Sequence, residues 1–164
     1  MEIRPENRSE SDQISALITA AFETAPHRDG TEAAIVQRLR EAGGLSLSLV
    51  AHDGAEILGH IAFSPVTITA EPGGWYGLAP LSVRPDMQGQ GVGAALLREG
   101  LSLLRSRSAA GVVVLGDPGY YGRFGFASHT HLTFIGPPPE YFQVLSFGDS
   151  VPSGEVAYHP AFFG

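Results

Sequence analysis

The chain has no cysteine among its 164 residues. That absence excludes a disulfide framework, a cysteine nucleophile and any thiolate-held metal. Lysine is missing too, since all ten basic residues are arginine. Without lysine there is no P-loop lysine and no Schiff-base lysine, and two large classes of enzyme fall away. Long apolar runs are also absent. No stretch approaches the ~20 residues needed to cross a bilayer. Met1 to Pro5 opens acidic and polar, without the apolar centre of a signal peptide. A cytoplasmic protein with no membrane partner is expected. The formal net charge of -7 disfavours nucleic acid as a partner, because sequence-independent binding to it depends on basic patches.

What is present belongs to a folded protein. Hydrophobic residues make up 43% of the chain and charged ones 16%, outside the disordered range. The length suits one domain, residues 1–164, with one sizeable core. Glu2 to Arg4 can form a first strand. Ile14, Leu17, Ile18, Ala21 and Phe22 follow the spacing of an amphipathic helix, with Ser9 and Asp12 as its cap and Pro26 as its end. Asp29-Gly30-Thr31 can open a second helix, with Ile35, Leu39 and Ala42 on one face and Gly43-Gly44 as its stop.

The period then changes from helical to two. Leu45, Leu47, Leu49 and Ala51 alternate as in a strand, Asp53-Gly54 makes a hairpin turn, and Ile57 to Ser64 returns. Pro72-Gly73-Gly74 turns the chain again, and Trp75 to Val83 reads as a third strand. A glycine-rich turn and a helix follow, with Leu97, Leu101 and Leu104 on its inner face. Val112 to Leu115 is a continuous apolar run, as in a strand covered on both faces. Tyr120 to Phe126 reads as a short helical turn, Leu132 to Phe134 as a strand, and Glu155 to Tyr158 as the last one. Pro137 to Ser153 shows no clear period. The order implies an α/β (α+β) fold with a mixed sheet.

The turn is Gln88-Gly89-Gln90-Gly91-Val92-Gly93. A helix beginning at Gly91 leaves its first N–H groups without intrahelical partners, and with the helix dipole they form an anion site. Glycines at 89, 91 and 93 let the backbone approach a pyrophosphate closely. The plainer reading is a turn that needs positive φ. The spacing is not the dinucleotide fingerprint GxGxxG, and no Gly-Lys-Ser/Thr follows.

The surrounding residues carry more. Leu81-Ser82-Val83-Arg84-Pro85-x-x-Gln88-x-x-Gly91-x-Gly93 resembles the acetyl-CoA motif of the GNAT superfamily of N-acetyltransferases. Tyr121-Gly122-Arg123-Phe124-Gly125-Phe126 resembles that family's second signature. Gly59-His60-Ile61 and Gly154 to Pro160 are similar to a bacterial branch of predicted N-acetyltransferases. The resemblance spans most of the chain, from the first strand through Tyr158. It implies a mostly antiparallel central sheet flanked by helices, whose central strands splay apart to admit acetyl-CoA. Backbone groups of Leu81 and Val83 would pair with the pantetheine arm, and the N–H groups of Gln88, Gly89, Gln90, Gly91, Val92, Gly93 and Ala94 would hold the pyrophosphate. Tyr120 would wall the channel.

The implied reaction moves an acetyl group to a primary amine of a small molecule or peptide. It needs a free amine, a stabilised oxyanion and a proton for the departing thiolate. A backbone N–H near Leu81 or Ser82 would bind the oxyanion; Pro80 has none to give and suggests an irregular strand. Tyr121 falls on the family's general-acid position, the alternative being a tyrosine held for packing. The strand before the turn lacks the glutamate that family members often use as a base, so His60 is the candidate base, with a packed histidine as the alternative reading. Glu23 and His27 are looser options. His129-x-His131 reads as a packed or solvated pair rather than a metal site, since no third ligand is near, and no metal is expected. Asp117 stands where the family commonly has asparagine. A homodimer is possible. The alternative function is a non-catalytic acyl-CoA sensor.

Overall fold

A computed structural model describes residues 1–23 and 30–163. Among the described residues there are nine strands, six of them in one main sheet, and four α-helices. The strands are β1 (Glu2–Pro5), β2 (Leu47–Asp53), β3 (Glu56–Pro65), β4 (Thr67–Ile68), β5 (Trp75–Val83), β6 (Gly111–Leu115), β7 (Leu132–Thr133), β8 (Phe142–Ser146) and β9 (Gly154–Ala157). The helices are α1 (Ser11–Phe22), α2 (Glu32–Glu41), α3 (Val92–Ser106) and the single turn α4 (Pro118–Tyr121). The main sheet runs β1-β2-β3-β5-β6-β8, and β4-β9-β7 form a second, small sheet. Every neighbouring pair in the main sheet is antiparallel except β5 and β6. The mixed, mostly antiparallel sheet flanked by helices is the fold expected.

α3 packs on one face of the sheet through Leu96, Leu97 and Leu104, all almost fully buried with Ile61, Phe63 and Val112. Gly100 lets that helix close on the sheet, since a Cβ there would meet the Phe63 ring at 2.5 Å. A separate cluster joins Ile14 and Ile18 of α1, Val36 of α2 and Val50 of β2. In α2 it is Val36 with Leu39 that fills the core, not Ile35 with Leu39 and Ala42. Ile35 is half-buried at the edge of a pocket.

Two local expectations are corrected. The cap before α1 is not Ser9 with Asp12. The chain enters through a 3-10 turn (Arg8–Glu10), where the Glu10 carboxylate accepts the Asn7 N–H at 2.7 Å and Arg4 at 2.7 Å and 2.9 Å. The stretch from Pro137 to Ser153, read as having no period, contains β8. Phe142, Gln143 and Val144 are all buried, so covering on both faces removes the alternation that marks a half-buried strand. The Gln143 amide is satisfied by the Gly116 carbonyl at 3.0 Å. Pro26 and Asp29, expected to bound the first two helices, lie outside the described residues, whereas Thr31, the last residue of the expected start, stands at the N-terminal boundary of α2.

Candidate active site

The sheet opens at its centre. β5 and β6 pair in parallel only from Trp75 with Gly111 to Leu78 with Val114. β6 then ends at Leu115, while β5 continues to Val83, still paired with β3 on its other side. The backbone from Ala79 to Val83 therefore faces no strand on the β6 side. Its pairing with β3 is irregular at the same place, with Ile61 opposite Leu81 and Phe63 opposite Leu78. Ala79 and Pro80 thus share the space opposite Ala62 alone, as the proline suggested. Such an edge can accept an extended ligand arm bearing amide groups, as it would another strand.

The glycine turn stands at the end of this open edge. Gly89 and Gly91 have φ of 78° and 86°, torsions that favour glycine. Gly91 caps α3, whose first N–H groups have no partner four residues back and meet the positive end of the helix dipole. The Gln88 amide donates to the Val83 carbonyl at 3.1 Å, tying the turn to β5. A Cβ on Gly93 would lie 3.2 Å from the Tyr120 hydroxyl. Tyr120 thus lies across the first turn of α3.

Both tyrosines are placed by α4. Asp117 caps this turn, its carboxylate accepting the Gly119 N–H at 2.9 Å, so the residue that departs from the family pattern has a structural task. The Tyr121 ring packs against Gly116, where a Cβ would come within 2.4 Å of its Cε2. It also meets Phe126 edge-on at 5.8 Å. Burial, with a smaller contribution from Tyr120, raises the Tyr121 hydroxyl well above the usual tyrosine range and keeps it protonated. Arg98 and Arg123, which the sequence reading did not single out, stack over Phe124 at 5.2 Å and Tyr120 at 5.1 Å. They bring positive charge to the same side of α3.

A family model described as an acetyltransferase (GNAT) domain matches residues 2–128. The chain belongs to the GNAT family. The uncharacterized N-acetyltransferase YhbS of Escherichia coli (strain K12) is 41% identical over 169 residues, covering 99% of this chain and 98% of that protein. A crystal structure of a GNAT family acetyltransferase from Brucella melitensis, in complex with acetyl-CoA, is 47% identical. It superposes with a TM-score of 0.88 over 98% of this chain and 97% of that one. The crystal structure of the Escherichia coli YhbS protein in complex with CoA is 39% identical, with a TM-score of 0.90 over 99% of this chain and 92% of that one.

In this GNAT chain His60 stands apart from the two tyrosines. It is a register partner of Ser82 on one side and of Val50 on the other. It has no exposed surface. Its Nε2 lies 2.8 Å from Ser48 Oγ, and that hydroxyl donates to Glu6 Oε1. Ser48 therefore accepts from Nε2–H, and Nδ1 is left as a bare acceptor without a partner. Arg40 holds Glu6 through two bonds of 2.9 Å and 3.0 Å. Burial of Glu6 works to raise its carboxyl, but bonds from Arg40 and Ser48 outweigh it and hold the group below its usual range. Desolvation lowers His60 to about 4, against the opposing pull of Glu6. The expectation that His60 takes the amine's proton directly is revised, because a histidine sealed in this network cannot touch an acceptor. Glu23 is exposed just after α1, and His27 lies outside the described residues.

The other paired histidines of this GNAT domain are not on a strand. His129 and His131 precede β7, their rings edge-to-face at 5.7 Å. Among the described residues no group of three or more His, Asp or Glu side chains could hold a metal. No helix among them is long and apolar enough to cross a membrane.

Proposed function

We propose that the chain binds acetyl-CoA along the open edge of β5 and transfers its acetyl group to a primary amine, with Tyr121 as the general acid. The observation that carries this reading is the parting of β5 from β6 immediately before a helix N-terminus that a glycine turn leaves open. The fit is supported from both ends: the edge at 79–83 that no strand covers on the β6 side matches a pantetheine arm, and N–H groups at 88–94 match a pyrophosphate. Acetyl-CoA is bound by the Brucella melitensis relative at 47% identity.

Bound there, acetyl-CoA supplies a thioester carbon to the amine. The N–C bond forms, the C–S bond breaks, and the amine loses one proton while the sulfur gains one. The N–H of Leu81 or Ser82 donates to the oxyanion. Tyr121 gives its proton to the leaving sulfur. For an ordinary phenol and thiolate that transfer is uphill by about 2 kcal/mol. Burial of Tyr121 adds to this cost, and desolvation of the departing thiolate in the same site raises its own proton affinity and offsets part of it. With His60 sealed, the amine's proton passes to water, and an α-amino or weakly basic amine is favoured. A lysine-like ammonium would cost about 4 kcal/mol to deprotonate at neutral pH.

Calorimetric titration of acetyl-CoA into the wild type and into Gly91→Glu tests the cofactor site. Binding by the wild type and its loss in a folded variant supports the reading. A wild type that binds no CoA thioester refutes it, and binding without turnover of any amine would favour the sensor.

A further inference from the structure

Beside the parting strands lies a pocket of about 240 Å³. Its walls come from distant parts of the chain: Ile35 from α2, Leu78 from β5, Leu115 from the end of β6, Phe134 after β7, and Tyr158 with Phe162 from the C-terminal segment. The aromatic rings support one another, with Tyr158 edge-to-face on Phe134 at 5.0 Å and tilted against Phe162 at 5.2 Å. Among the described residues no carboxylate and no arginine lines it. The Tyr158 hydroxyl is buried and, among the described residues, has no hydrogen-bond partner, which is costly for a buried polar group. Tyr121 packs its ring on Gly116, the residue that follows Leu115 of the pocket wall. The pocket and the transfer point are therefore neighbours.

Resting on the acetyltransferase reading above, we propose that this pocket takes the apolar group of the acyl acceptor, so that the enzyme acts on primary amines set one or two carbons from an aromatic or branched aliphatic group, with Tyr158 accepting a hydrogen bond from the amine. Three observations converge on this class. The pocket is smaller than the roughly 300–1,000 Å³ of whole-ligand clefts, so it holds a side group rather than an entire acceptor. Leu78 and Ala79, which line it, precede the proposed oxyanion donors Leu81 and Ser82 by only two to four residues, across the irregular stretch at Ala79 and Pro80. That matches an amine close to its apolar group. Finally, the described residues of the pocket offer no carboxylate to a second cationic group, and aromatic faces alone offset only part of the cost of desolvating one. A small arylalkylamine and the N-terminus of a peptide beginning with phenylalanine share this chemistry.

The test compares kcat/KM for 2-phenylethylamine and a Phe-initiated tripeptide with that for spermidine and an Nα-blocked lysine amide, using the full chain and acetyl-CoA. Either apolar amine should exceed both cationic ones by tenfold or more, and the ratio between the two apolar amines identifies the source. Ile35→Glu should lower kcat/KM for the apolar amines by tenfold or more while calorimetric acetyl-CoA affinity is unchanged, which also reports on folding. Tyr158→Phe should raise the amine KM roughly tenfold, the loss of one hydrogen bond, and leave the acetyl-CoA KM alone. Preference for spermidine or the lysine amide, or no turnover of either apolar amine by a protein that binds acetyl-CoA, overturns the proposal and leaves the cofactor site standing. Failure to bind acetyl-CoA would instead remove the reading on which it rests.

Discussion

Tyr158 occupies the space that a side chain on Gly77 would need: a Cβ there would stand 2.6 Å from Tyr158 Cε1. Gly77 pairs with Val113 one rung before β5 and β6 separate. A residue 81 positions away thus closes the sheet beneath the acceptor pocket, and glycine at 77 is what admits it.

Gly77→Ala should therefore destabilise the fold by overpacking, at a cost of about 1–3 kcal/mol. Thermal unfolding would show a lowered Tm. Combined with Tyr158→Leu, the loss should be less than the sum of the two single changes, because they share one contact. Strict additivity would mean that the ring does not hold this position.

Tyr121→Phe keeps the packing against Gly116 and Phe126 but removes the transferable proton. The expected result is a fall in kcat of roughly a hundredfold or more, with the KM for acetyl-CoA little changed. A variant that retains full kcat would reduce Tyr121 to a packing residue.

Acid should weaken the protein through His60. Its folded value of about 4 lies below the ordinary 6.5. Above pH 6.5 the imidazole is neutral in both states and its contribution is complete. Between about 6.5 and about 4 the unfolded chain binds a proton that the folded one refuses, so stability falls with pH, by at most about 3 kcal/mol. The depressed Glu6 carboxyl adds to the loss, with the same sign, at more acidic pH. Urea unfolding at pH 7, 5.5 and 4.5 would measure this, and His60→Gln should flatten the slope. Equal slopes in the two proteins would mean that His60 is not the group responsible.

Gly93→Val should weaken acetyl-CoA binding by crowding Tyr120, whose hydroxyl would be 3.2 Å from the added Cβ. Calorimetry should report at least a tenfold rise in Kd with an unchanged Tm. Unaltered affinity would place the cofactor elsewhere.

The readable parts of the chain were those whose requirements are local. The span of β5, Trp75 to Val83, followed from the turn signals on either side of it, and the start of α3 followed from glycines that the backbone torsions demand. β8 was missed because burial on both faces erases periodicity. His60 looked available because a histidine's ordinary pKa suits a base, and nothing near it in sequence announced Glu6, Ser48 and Arg40. Tyr158 was visible only as the end of the last strand and as part of a resemblance, with no hint that its hydroxyl would be buried unpaired.

By itself, then, the sequence determined the mixed sheet and the glycine turn, because strand period, helix capping and positive φ are set by residues within a few positions of one another, while the family came from the resemblance of two motifs. Only the tertiary structure decided that His60 is sealed, that β5 leaves β6 after Leu78, and that an aromatic pocket lies beside the parting strands. Burial, desolvation and pocket shape arise from segments far apart in the chain, and their physics appears only once those segments have packed.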